Sequence, residues 1–88
     1  MTTAQAVPLL SRKLHALATA YDDEAAAADH AGGSWSAVVA VGHRRASSQL
    51  RLIGDLVVAS PTDAMFDLAF SYADAGVTIL EQIRRANA

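Results

Sequence analysis

Three interruptions divide the chain. Pro8, the pair Gly32-Gly33 and Pro61 are separated by long runs without proline, and alanine is the most frequent residue in those runs. Alanine has the best intrinsic helix propensity, proline is tolerated in a first helical turn, and glycine supplies the positive φ at which helices end. The spacing therefore predicts an all-α chain of three helices, over about 8–30, 35–58 and 61–86, joined by short connections into an up-down bundle. With 52% hydrophobic and 18% charged residues, the composition is that of a folding chain and not of a disordered one. One helical domain over 1–88 is expected.

In the first segment Leu10, Leu14, Leu17, Tyr21, Ala25 and Ala28 recur at alternating steps of four and three, which places them on one helix face. Ser34 is positioned to cap a second helix, with Val39, Gly42, Ala46, Leu50, Ile53 and Val57 on one side. Gly42 and Gly54 fall inside that helix and mark either a kink or a close approach of a neighbour. Ser60-Pro61-Thr62-Asp63 then offers an N-cap, a proline at the first helical position and an acid three residues on.

The third segment carries more apolar residues than one face needs. Met65, Leu68, Ala69, Tyr72, Gly76, Ile79, Leu80 and Ile83 form one stripe, and Phe66, Phe70, Ala73 and Val77 form a second beside it. A helix on the outside of a bundle shows an apolar arc of about 100° or a little more. A chain of 88 residues is also small, burying only about 60–65% of its unfolded surface. Both points predict that Phe66, Phe70 and Val77 meet a partner, in a homo-oligomer (dimer or tetramer) or on another helical protein. Trp35, next to the glycine turn, is a further interaction candidate or a lid on the end of the bundle.

Several activities are disfavoured. The formal charge of −2 argues against nucleic acid as a partner, because phosphate affinity needs clustered Lys and Arg. Without cysteine there are no disulfides or thiolate metal sites, and His15, His30 and His43 lack the i, i+4 spacing of a helical metal site. No Gly-rich phosphate loop or nucleophile elbow occurs. The chain is read as a non-enzyme with no cofactor. No apolar run is long enough to span a bilayer, and no signal-peptide core follows Met1, so a cytoplasmic protein is expected.

One basic stretch stands out. His43-Arg44-Arg45-Ala46-Ser47-Ser48-Gln49-Leu50-Arg51 holds three of the seven Lys and Arg residues, and helical spacing puts Arg44, Ser48, Arg51 and Asp55 on one polar stripe. Arg44-Arg45-Ala46-Ser47 is similar to the substrates of basic-directed serine kinases. The longer stretch His43–Leu56 resembles the phosphoacceptor helix of sensor histidine kinases, a resemblance that implies a phosphotransfer module with His43 as acceptor. Ser47-Ser48 stand where that family has paired asparagines. A nucleic-acid regulator using Arg44, Arg45 and Arg51 is the remaining alternative. As a whole, through Ala59-Ser60-Pro61-Thr62-Asp63-Ala64-Met65 before a last apolar helix, the chain resembles short uncharacterised helical proteins of alphaproteobacteria, which implies a fold and no activity.

Overall fold

The computed structural model, which describes residues 2–87, holds helices α1 (Thr3–Ala31), α2 (Ser34–Ala59) and α3 (Asp63–Ala86). All three pairs of helices are in contact. The bundle is elongated, 46 × 22 × 16 Å.

The boundaries differ from expectation at each helix start, for reasons of capping. Helix α1 begins ahead of Pro8, because Thr2 and Gln5 cap each other: Thr2 Oγ1 accepts from the Gln5 amide at 3.3 Å, and Gln5 Oε1 accepts from the Thr2 amide at 2.9 Å. Two of the free N–H groups of the first turn are thereby satisfied. Pro8 then lies inside the helix, and its missing N–H leaves the exposed Ala4 carbonyl to water. Gly32 and Gly33 adopt φ of 76° and 92°, a region costly for any residue with a Cβ. Gly33, and not Ser34, occupies the N-cap of α2, with no side-chain cap bond. Helix α3 is capped by Thr62 in place of Ser60: Thr62 Oγ1 accepts from the Met65 amide at 3.1 Å. Ser60 closes α2 by donating its amide to the Leu56 carbonyl at 2.8 Å. Three residues, Ser60-Pro61-Thr62, therefore join the last two helices.

Helix α1 supplies much of the core. Val7, Leu10, Leu14, Leu17, Ala18 and Tyr21 are buried against Leu50, Ile53 and Val57 of α2 and Ala69, Ala73 and Leu80 of α3. Complete burial of a side chain such as Leu14 contributes about 2–3 kcal/mol. Small residues recur every seven positions along the seam between α1 and α2: Ser11, Ala18 and Ala25 on one side, Ala40, Ser47 and Gly54 on the other. A seven-residue period keeps a seam on one face of a slightly supercoiled helix. Small side chains there let the two backbones come close. A Cβ added at Gly54 would lie 3.1 Å from the His15 ring and 3.4 Å from Leu14 Cβ, so this glycine marks a close approach. Gly42 has open space around it, and α2 runs unbroken through both positions.

One buried hydrogen bond fixes α3 against α1. The Tyr21 hydroxyl donates to the Gly76 carbonyl at 2.8 Å, and burial pushes the Tyr21 pKa up. Leu17 and Leu50 stand on either side of Gly76 at ordinary van der Waals distance from where a Cβ would be. Tyrosine satisfies its polar tip here while its ring fills the centre of the bundle.

Candidate functional site

The residues that could carry chemistry are dispersed. His15 makes a 2.9 Å contact through Nε2 with Asp55 on the surface of the α1–α2 seam. His43 is half-buried, with its ring centroid 6.2 Å from that of Tyr21 and tilted 56°, while His30 is exposed in the last turn of α1. Among the described residues no group of three His, Cys, Asp or Glu side chains could hold a metal ion. None of their helices is long and apolar enough to cross a membrane.

The basic stretch of α2 faces α1. Arg51 donates to Asp22 at 2.6 Å and also reaches the Ser47 hydroxyl, and Arg44 pairs with Asp29. The hydrogen bond from Arg51, with one from Ser47, holds the Asp22 carboxyl below the usual carboxylate value. Arg44, Arg51 and Asp55 are thus partners of α1 residues, and the stripe they form edges the seam. Of the three arginines only Arg45 lacks an ion-pair partner among the described residues. Ser47 is 1% exposed within the seam. A kinase could reach its hydroxyl only after the two helices had separated.

The three sides of the bundle are finished to different degrees. Two arginine–aspartate ion pairs and the His15–Asp55 contact cross from α1 to α2, and Arg84 reaches Glu24 from α3 to α1 at 3.4 Å. Between α2 and α3, among the described residues, there is no ion pair and no side-chain hydrogen bond. A cleft of about 170 Å³ stays open there, floored by Tyr21, Leu50 and Gly76 and edged by Gln49, Tyr72 and Ile79.

Exposed apolar side chains gather on either side of this cleft. Val38, Val41, Leu52 and Leu56 on α2 and Leu68, Tyr72 and Ile79 on α3 are all exposed. Helix α1 exposes one large hydrophobic residue, Leu9, and shows water Arg12, Lys13, Asp23, Asp29 and His30. On α3 the exposed residues Ala64, Leu68, Ser71, Tyr72, Ala75, Ile79, Gln82 and Ala86 share one flank, and none is charged. The seven large side chains leave on the order of 600 Å² of apolar surface uncovered, at the top of the roughly 300–600 Å² of the largest patch on a typical monomer.

This flank is the one next to α2. The residues singled out by periodicity, Phe66, Phe70 and Val77, lie on the opposite flank of α3. Phe66 and Val77 are half-buried against the core of their own chain, and Phe70 alone of the three stands in water, 59% exposed. Trp35, 76% exposed, does not close the bundle end as a lid; it forms one wall of a cleft with Ala28, Val39, His43, Glu24 and Asn87. On α2 the exposed Val38, Val41, Arg45, Leu52 and Leu56 recur at helical steps opposite the core positions. Set against known proteins, the chain matches no family model, no curated protein and no solved structure.

Proposed function

We propose that the protein is a helical self-association module whose interface is the outer face shared by α2 and α3. One observation carries this reading: α2 and α3 leave Val38, Val41, Leu52, Leu56, Leu68, Tyr72 and Ile79 exposed, the last two at the edge of the open α2–α3 cleft, while α1 turns a charged surface to water. Hydrophobic area of this size, joined by the stems of Arg45 and Gln49 and by the alanines of α3, approaches the about 800 Å² per partner of a standard interface. Burial of the apolar part at about 25 cal/mol per Å² is favourable by roughly 15 kcal/mol per copy before the costs of association. Phe70, on the far flank, lies outside this interface.

Sedimentation equilibrium of the wild-type chain and of Ile79→Asp tests the reading. The wild type is expected to reach twice the monomer mass or more at tens of micromolar, and Ile79→Asp to remain a folded monomer. Phe70→Asp is the control and is expected to associate as the wild type does. A wild-type chain that is monomeric across that range removes the proposal.

A further inference from the structure

Where the Gly32-Gly33 turn joins α1 to α2, a cleft of about 430 Å³ opens between the last turns of α1 and the first turns of α2, with Asn87 beside it as α3 ends. Small-molecule sites run from about 300 to 1,000 Å³, so the volume suffices for a compact ligand. Ala28 and Ala31 of α1 and Val39 of α2 line the cleft with apolar groups, and the exposed Trp35 indole forms one wall. None of the lining residues belongs to the exposed apolar set of α2 and α3, so the cleft is independent of the self-association reading.

Two polar side chains in this lining have hydrogen-bonding capacity to spare. Glu24 is the one carboxylate, and no lysine or arginine stands with it. The Glu24 side chain is 17% exposed, and Arg84, which does not line the cleft, reaches Oε1 through Nε at 3.4 Å. A charge-assisted bond of full strength measures about 2.7–2.9 Å, so the Arg84 contact is a loose one. Oε2 of Glu24 has no hydrogen-bond partner among the described residues. His43 makes no side-chain hydrogen bond among them either, and its ring lies tilted against that of Tyr21.

A mostly enclosed carboxylate with a free oxygen, beside an exposed indole, selects the charge of a ligand. An anion would meet Glu24 with no cation in the lining to offset it. An ammonium group donates and does not accept, which suits both the free Glu24 oxygen and an imidazole nitrogen of His43. A cation is also attracted to the face of an indole, the strongest of the aromatic side chains in this respect. We propose that this cleft binds a small organic cation, a primary ammonium group carried on a short aromatic body. Glu24 supplies the countercharge, Trp35 the aromatic wall, and Ala28, Ala31 and Val39 the apolar lining for the body of the ligand. Arg84 competes for the same carboxylate and limits the affinity.

The chain has a single tryptophan, so the fluorescence and the indole N–H resonance of Trp35 report on the cleft directly. Phenylethylammonium, phenylethanol and phenylpropionate, alike in shape and different in charge, are titrated near neutral pH at constant ionic strength. The cation is expected to bind at least about fivefold more tightly than the alcohol, and the anion more weakly than either. In Glu24→Gln the preference for the cation is expected to shrink to about twofold or less, and in Arg84→Gln, which removes the competing guanidinium, to grow by about twofold. Circular dichroism first establishes that both variants are folded. The wild-type ranking is decisive without them: equal binding of cation and alcohol, or no saturable change with the cation up to about 10 mM, would overturn the proposal. A preference that survives Glu24→Gln undiminished would overturn it as well.

Discussion

The seam between α1 and α2 and the cleft between α2 and α3 are built from the same helix α2, yet they are finished in opposite ways. On the α1 side, small residues every seven positions bring the backbones together, and Asp22, Asp29 and His15 hold Arg51, Arg44 and Asp55 across the edge. On the α3 side, among the described residues, no side-chain hydrogen bond or ion pair crosses, and large apolar side chains stay exposed. A helix pair completed within one chain hides its grease and neutralises its charges locally. The other pair leaves its apolar side chains in water.

Equal deletions on the two sides separate them most strongly. Leu14→Ala, at a fully buried position beside the tight seam, is expected to cost about 2–5 kcal/mol of unfolding free energy. Leu52→Ala, on the open face, is expected to change the monomer by no more than about 0.5 kcal/mol. Urea denaturation at low protein concentration measures both. If Leu52→Ala costs as much as Leu14→Ala in a monomer, the open face is part of the chain's own core.

The glycines of α2 sharpen the contrast at intermediate magnitude. Gly42→Ala meets nothing within van der Waals range and is expected to stabilise by about 1 kcal/mol through helix propensity alone. Gly54→Ala must push aside the His15 ring 3.1 Å away and disturb its contact with Asp55, so its gain is expected to be smaller or reversed. Equal thermal shifts for the two variants would show that the seam yields more easily than its spacing implies.

The smallest effect concerns acid. Because Asp22 has its pKa lowered in the folded chain by Arg51 and Ser47, its pairing stabilises the fold above the ordinary carboxylate pKa of about 3.9. That contribution disappears as the pH falls through the lowered folded value. The pair is half-exposed, so the effect is modest. Thermal unfolding between about pH 5 and pH 2 is expected to be less steeply pH-dependent in Asp22→Asn than in the wild type. Identical slopes would mean that the Asp22–Arg51 pair adds nothing to the seam.

Much of the fold was legible in the sequence, and the reasons for the remainder are local. Proline and glycine positions located all three helices, since few other residues can stop or start one. Pro8 suits a first helical turn and so points to a later start of α1 than the reciprocal cap of Thr2 and Gln5 sets. Ser60 and Thr62 both offer a hydroxyl before α3, and only the backbone decides which one meets the free amides. The uncovered surface was harder to locate. Periodicity measures how wide an apolar arc is, but not the direction from which neighbouring helices arrive, so it could not say that α1 covers Phe66 and Val77 while Leu68, Tyr72 and Ile79 stay open. On α2 the outer valines and leucines were masked by a second, equally regular set on the core side.

Pro61 has a consequence for the fidelity of folding. Chains with a short hinge between two helices can straighten it, fuse the helices into a single rod and lend the distal one to a neighbour, an exchange known as domain swapping. In this chain that rod would have to pass through Ser60-Pro61-Thr62. There the ring of Pro61 removes a donor, collides with the preceding turn and steers Ser60 away from helical angles. The route to an exchanged form is thereby obstructed at a single residue, and the chain keeps its own α3.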